Sequence, residues 1–471
     1  MEKLIGRKAE IKALQQYAKS GKAEFVAIFG RRRVGKTFLV KKVFGPKMVF
    51  DFTGMANVNL KVQLTNFRNE ISRQMGKRQP MPTSWLDAFE QLRDYLASIP
   101  NGDRKYVFID EMPWLDTPRS NFLPALEHFW NNWAAWQDDI MLIVCGSATS
   151  WITNKLINNH GGLHNRVTRQ LYLPPFNLRE CKELCVSNGL AWKEKDIAEC
   201  YMVMGGIPYY IDQIQKGESL AQSIDRLFFS PEGMFRYEFD NLYKSLFAHS
   251  ENYINVVKAL AGKRAGLSRQ EIIQATGISN GQGLTTILSD LQRCDFIRVV
   301  SKEENGRNAV YQLIDSFTLF YLCLMSKNKL KDPHFWTHSL LGTEHHAWAG
   351  LAFELLCSRH VEQIKKALGI SGVLTQNYSW RSKKKEGGAQ IDLVIDRADN
   401  CVNIIEIKFV SGPFAITADY EQNLLNKVSC FVEETKTKKT PMLTMLTTMG
   451  LKEGTHSNIV QSEITLSDLF E

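Results

Sequence analysis

The chain has no run of apolar residues near the roughly 18 that a membrane-spanning helix needs. No helical membrane span is therefore expected. Its opening residues, Met1–Ile11, are charged and lack an apolar h-region, so no secretory leader is expected. Its 9 cysteines form no CxxC pair and no paired metal-ligand spacing. Cys181 and Cys185 stand one helical turn apart, as in ordinary helix packing. All nine read as reduced thiols of a cytoplasmic protein. Charge of one sign is in modest excess: the net charge is +8 and the isoelectric point near 8.9. That permits contact with nucleic acid without demanding it. Internal repeats are absent. Low complexity is confined to Lys383-Lys384-Lys385 and Lys436–Lys439, which read as solvated loops or, for the first, as a run that follows a DNA backbone.

What is present is enough for several cores. The 471 residues are 44% hydrophobic and 23% charged, which excludes a largely disordered chain and suggests two to four domains. Leu4–Lys19 alternates apolar and charged residues at helical spacing. Phe25–Phe29, Tyr106–Ile109 and Met141–Cys145 are short β-branched or aromatic runs and read as buried strands. Helical patterns at Thr37–Val43, Trp85–Ala97 and Ala125–Trp136 lie between or beside them. Strands alternating with helices predict an α/β domain built on a mostly parallel sheet.

The first predicted strand runs into Gly30-Arg31-Arg32-Arg33-Val34-Gly35-Lys36-Thr37, which fits GxxxxGK[ST] at every fixed position. The glycines allow close approach to phosphates, and amides at the helix start point at the anion. Gly30, Arg33, Val34, Gly35 and Phe38 are expected to line the nucleotide. Lys36 reaches the outer phosphates, and Thr37 offers a hydroxyl to Mg2+. Asp110 and Glu111 close the second strand: Asp110 is the expected holder of Mg2+, and Glu111 the group that activates water. Ser147, after the third strand, is placed to touch the γ-phosphate or the water. Arg166 and Arg169 each offer an arginine finger, in cis or from a neighbour in an oligomer; a surface salt bridge reads equally well.

Taken with Leu4–Glu10 and the breaker Gly205-Gly206-Ile207-Pro208, these motifs resemble the archaeal-type ATPases, within the AAA+ and STAND-like group of P-loop NTPases. The resemblance implies ATP rather than GTP, and no NKxD guanine motif stands at a suitable strand end. It also implies that Ile5–Arg7 lies near the base, that Arg166 follows the sensor strand, and that the Gly-Gly-Ile-Pro breaker belongs to a lid.

Beyond residue 177 the pattern changes. Residues 178–248 read as a helical lid. Residues 249–327 read as a winged helix-turn-helix: a helix at Tyr253–Leu260, a second capped by Ser268 with Glu271, a third capped by Ser279, and a hairpin around Asn305-Gly306. Asn280, Gln282, Thr285, Thr286 and Arg293 would face a major groove, with Lys302 and Arg307 on phosphate. That helix is poor in basic residues, so sequence-specific reading looks weak and protein packing is the live alternative. Asp315–Lys327 reads as a helix and Lys327–Pro333 as a linker.

Residues 334–471 read as a second α/β domain, with a helix at Trp348–Leu368 and strands at Gln390–Asp396 and Val402–Val410. Asp392, Glu406 and Lys408 form an acid followed by E-x-K, which resembles the PD-(D/E)xK nuclease core and the domain often fused to archaeal-type ATPases. The resemblance implies Asp392 and Glu406 as metal ligands and Lys408 as catalytic lysine; Glu354, on the preceding helix, is a candidate further ligand. Gln390-Ile391 stands where a proline often precedes the acid. Acids and lysines also alternate with apolar residues on many half-exposed strands, and many nuclease-like domains only bind. Two functions therefore stand open: an ATP-driven enzyme acting on DNA with a metal-dependent nuclease-like domain, and a nucleotide-gated switch that binds DNA without cutting it.

Overall fold

The computed structural model describes residues 4–100, 102–158, 165–247, 249–263, 266–300, 309–384 and 387–471. The chain divides into two compact units, Met1–Pro175 and Phe176–Glu471.

The first unit is organised by five parallel strands: β1 Glu24–Phe29, β2 Met48–Thr53, β3 Lys105–Asp110, β4 Ile140–Cys145 and β5 Arg169–Tyr172. Their order is β2-β3-β4-β1-β5. β3 and β4 are buried at every position, as strands covered on both faces must be. The helices Lys8–Ala18, Lys36–Phe44, Leu60–Gln74, Trp85–Ser98 and Phe122–Asn132 supply the cover. One face of the sheet packs on an aromatic cluster of Phe50, Phe52, Phe67, Trp85, Phe89 and Phe122. The three sequence-predicted strands are present. β2 and β5 are additions, and the helix expected over Ala125–Trp136 is Phe122–Asn132 followed by a separate short turn at Ala134–Trp136.

In the second unit, residues 178–247 are helical, with Leu178–Ser187, Glu194–Met204 and Glu238–Leu246 the longer helices. Gly205 and Gly206 both have φ of 68°. At Gly206 the chain passes so close to Phe176 that a Cβ would lie 2.2 Å from its carbonyl oxygen, and the Phe176 amide donates to the Gly206 carbonyl at 2.8 Å.

Helices Ser250–Ala261, Arg269–Thr276 and Gln282–Arg293 come next, with a small antiparallel sheet of β6 Leu267–Ser268, β7 Ile297–Val300 and β8 Val310–Leu313. Ser268 and Glu271 form the predicted reciprocal cap. Ser279 does not cap the third helix, which begins two residues later than expected, at Gln282 behind Gly281. Arg269 explains the shift: it donates to Asn280 Oδ1 at 2.9 Å, to the Gly281 carbonyl at 3.0 Å and to Thr285 Oγ1 at 3.1 Å, pinning that turn. Asn280 and Thr285 are thereby already engaged. The Asn305-Gly306 turn, Lys302, Arg307 and Lys385 lie outside the described residues.

Ser316–Cys323 is helical. The helix expected over Trp348–Leu368 is instead two, Thr343–Arg359 and Val361–Ala367, broken at His360. The break has a use: His360 Nε2 accepts the Leu178 amide at 3.0 Å, while its Nδ1 meets the Leu356 carbonyl at 2.8 Å. A second five-stranded sheet follows, with β9 Thr375–Arg381, β10 Gln390–Arg397, β11 Cys401–Lys408, β12 Thr440–Thr447 and β13 Ser462–Thr465 in the order β13-β12-β11-β10-β9. β9, β10 and β11 are antiparallel, and β11, β12 and β13 are parallel. The helix Ala418–Thr435 crosses between β11 and β12 and covers one face with Leu424 and Phe431.

Candidate nucleotide site and C-terminal carboxylate cluster

The end of β1 and the start of the Lys36–Phe44 helix build the first site. Gly30 has φ of 145°, and a Cβ there would sit 2.3 Å from the Leu173 carbonyl oxygen. Only glycine fits that approach. Arg33 and Gly35 also have positive φ, 68° and 91°, so consecutive amides turn toward one concavity. Lys36 is buried, and its Nζ donates to the Gly30 and Arg31 carbonyls at 2.8 and 2.9 Å, holding the ammonium over that cradle. Arg7, also buried, donates to the Val34 carbonyl at 3.1 Å and ties the N-terminal segment to the loop. Phe38 lies one residue beyond Thr37 in the first helical turn.

The Thr37 hydroxyl donates to Asp110 Oδ2 at 2.7 Å. A hydroxyl and a carboxylate side by side at a phosphate cradle are a hard-oxygen donor set that fits Mg2+. The other Asp110 oxygen accepts the Glu111 amide at 2.8 Å and the Cys145 thiol. Burial first, then the charge of Asp110, pushes that thiol well above its ordinary range, so it stays a donor. Glu111 sits in the left-handed region with φ of 47°. Its Oε2 accepts from both the Ser147 amide, at 3.1 Å, and the Ser147 hydroxyl, at 2.9 Å. Ser147 therefore meets Glu111 directly, a partnership that spacing alone did not suggest.

The two candidate arginines part ways. Arg169 pairs with the fully buried Glu24 at 3.3 Å and lies 5.1 Å from the Tyr17 ring centre, which is a structural use. Arg166 is exposed.

The second cluster sits on β10 and β11. The register of Leu393 opposite Ile405 puts Asp392 opposite Glu406, and a bulge against β9 falls between Ile391 and Val394, beside the acid. Such bulges re-aim side chains. Asp392 Oδ2 accepts the Ile407 amide at 3.0 Å. Glu406 is buried, and both its oxygens are engaged. Lys408 lies at 3.0 Å and the Tyr420 hydroxyl at 2.7 Å from Oε1, and Lys427 at 2.6 Å from Oε2. Burial alone would raise this carboxyl. The charges of Lys427 and Lys408, with the hydrogen bonds from Lys427 and Tyr420, outweigh it and hold the group below its usual range. Burial and the facing Glu406 push the Tyr420 phenol well up, so it remains a donor.

The expected metal set of Glu354, Asp392 and Glu406 is not assembled. Among the described residues no three His, Cys, Asp or Glu side chains stand where they could hold a metal ion. The physical reason is that two ammonium groups already neutralise Glu406. Glu354 instead shares a cavity with Asp392. Sequence reading missed Lys427 and Tyr420. Their spacing with Leu424, at i, i+4 and i+7 of one helix, is the signal that would have found them.

A parallel sheet whose first strand feeds a phosphate cradle, with paired acids at the neighbouring strand end, defines a P-loop ATPase domain. Residues 4–214 match the profile of an ATPase domain found predominantly in Archaea. The Walker-type ATPase of Pyrococcus abyssi superposes with a TM-score of 0.50 at 16% identity, covering 68% of this chain and 96% of that one. At that identity the likeness establishes the fold. The ORC2 protein of Aeropyrum pernix superposes more loosely, with a TM-score of 0.40 at 17% identity over 68% of this chain and 93% of its own. An uncharacterized protein of Methanocaldococcus jannaschii is 24% identical over 417 residues, 86% of this chain and 87% of that protein. The similarity therefore runs well past the ATPase domain. Among the described residues no helix is long and apolar enough to cross a membrane.

Proposed function

We propose that this chain hydrolyses ATP with Mg2+ and couples the nucleotide state to DNA engaged by residues 249–471. In this reading Lys36 and the loop amides hold the phosphates, and Thr37 and Asp110 hold the hydrated ion. Glu111 orients and deprotonates the attacking water, and Ser147 fixes where its carboxylate points. Mg2+ supplies charge neutralisation between the phosphate oxygens. Arg166, exposed after the sensor strand, is the candidate finger, supplied in cis or within an oligomer.

The observation that carries hydrolysis is the unbroken chain from Thr37 to Asp110 to Glu111 to Ser147. DNA contact is supported by three helices with a small antiparallel sheet, arranged as a winged helix would be, beside a sheet that opposes Asp392 to Glu406. The test is Mg2+-dependent turnover of wild type, Lys36→Ala and Glu111→Gln, with and without duplex DNA. Turnover lost in both variants and raised by DNA sustains the reading. Turnover indifferent to DNA would remove the coupling.

A second reading, a nucleotide-gated binder that does not cut, is favoured by the two lysines on Glu406. It predicts no DNA cleavage in Mg2+ or Mn2+. Cleavage that disappears in Lys408→Ala would restore the nuclease.

A further inference from the structure

The C-terminal carboxylate centre carries one cation that the E-x-K pattern does not call for. Lys408 belongs to that pattern; Lys427 does not. Lys427 comes from the helix Ala418–Thr435, three residues after Leu424 and four before Phe431, on the stripe that this helix turns toward the sheet. The helix is locked there. Phe431 packs edge-on against Trp380 with ring centres 5.3 Å apart, and Leu424 is fully buried. Lysine is rare on such a stripe, because its ammonium loses water unless an acid meets it. Glu406 is that acid, at 2.6 Å.

The two lysines on Glu406 are not equivalent. The Lys408 side chain is 34% exposed, so its four-carbon stem can swing into water. The Lys427 side chain is 15% exposed and that of Glu406 4%, so this pair is shut in beneath the helix. With the Tyr420 hydroxyl at 2.7 Å, three donors stand on Glu406. A carboxylate offers about four acceptor directions, so little is left for a further ligand. Asp392 is engaged as well, accepting the Ile407 amide. A divalent ion arriving on Glu406 must displace an ammonium from the lone pairs it needs, and it meets the charge of that ammonium at close range. Lys408 is free to yield. Lys427, fixed by its helix, is not.

We propose that Lys427 is the resident cation of this centre: its ammonium takes the place of a divalent ion on Glu406 and by itself keeps such an ion out. The inference goes beyond the ATP reading and stands whether or not residues 249–471 engage DNA. It makes the centre independent of the metal supply, so that Glu406 keeps one orientation at every Mg2+ concentration.

The test is Mn2+ binding to the nucleotide-free full chain, read from the loss of the free-ion electron paramagnetic resonance signal. Asp110→Asn is carried in every sample and removes the P-loop carboxylate. This parent is compared with Glu406→Gln, Lys427→Met, Lys427→Gln, Lys408→Met, and Lys427→Met combined with Glu406→Gln, with thermal melting as the folding control. The parent is expected to bind no ion through Glu406, so Glu406→Gln changes nothing. Lys427→Met should gain at least about tenfold in Mn2+ affinity, as loss of an adjacent unit charge implies, and the combined variant should lose that gain. Lys427→Gln should gain likewise, and it keeps a donor for Glu406 should Lys427→Met lower the melting temperature. Lys408→Met should gain nothing, since Lys427 remains. Parent binding that disappears in Glu406→Gln overturns the proposal, because the ammonium is then a placeholder that the ion displaces; this arm needs no Lys427 variant to fold. A folded Lys427 variant without gain overturns it too. An equal gain in Lys408→Met transfers the effect to net charge and overturns the assignment to Lys427.

Discussion

Glu111 is held from one side by its own strained backbone and from the other by Ser147. Ser147 is thus a positioning residue. Ser147→Ala leaves the backbone amide contact in place and removes the hydroxyl. Turnover should fall by about ten- to a hundredfold, consistent with a lost hydrogen bond to a charged group. ATP affinity should be nearly unchanged, since the phosphate cradle is untouched. Steady-state kinetics beside nucleotide titration separates the two, and a parallel loss of affinity would mean that Ser147 supports the loop rather than the carboxylate. At this scale the sequence was legible where chemistry is local. Gly30, Lys36 and Thr37 stand at fixed spacings because one loop must present them together, and Asp110 is marked by the apolar strand that it closes. The partners of Asp110 and Glu406 were not legible. Cys145 and Lys427 reach them across strands and from a crossing helix, and no spacing rule encodes such a meeting.

Elements were readable in proportion to how completely they are buried. β3 and β4 announce themselves as unbroken apolar runs. β2 hides because Asp51 interrupts it, and that acid leaves the sheet to pair with Lys41 at 2.8 Å. β5 and β9 are edge strands with arginine and polar side chains facing outward, so their pattern carries little apolar signal. Caps divide in the same way. Ser268 with Glu271 is a self-contained device and was read correctly, whereas the start of the Gln282–Arg293 helix depends on Arg269 from another helix. Ser268→Ala should cost about 1–2 kcal/mol, the usual worth of an N-cap. Arg269→Ala should lower stability by less and release Asn280 and Thr285. Urea denaturation of the two variants checks the ranking.

For the whole chain, pH is a probe of how its second unit is joined. His360 Nε2 accepts the Leu178 amide, so the ring proton must sit on Nδ1, facing the Leu356 carbonyl. Burial holds this histidine down to about 4, against the weaker opposing effect of that carbonyl. His345, buried near Trp336, is likewise held at about 4 by burial and by His346. Both groups are neutral in the fold and take up a proton more readily when unfolded. Their contribution is therefore whole above about pH 6.5 and lost progressively toward pH 4, up to about 3 kcal/mol for each. His360→Gln, which can still accept from Leu178 but cannot titrate, should flatten that decline. Denaturant melts at neutral and mildly acid pH decide it, and an unchanged slope would show that His360 does not carry the effect.

The near-collision of Gly206 with the Phe176 carbonyl also bears on genetics. Every single-base change of that codon that alters the amino acid introduces a side chain where no room exists for one carbon. Substitutions there should behave as null alleles in any selection for this protein, although the residues that handle phosphate are left intact. A library of random variants would show codon 206 empty, and a strain carrying Gly206→Ala would report what a cell loses when the helical segment fails while the ATP chemistry is still encoded.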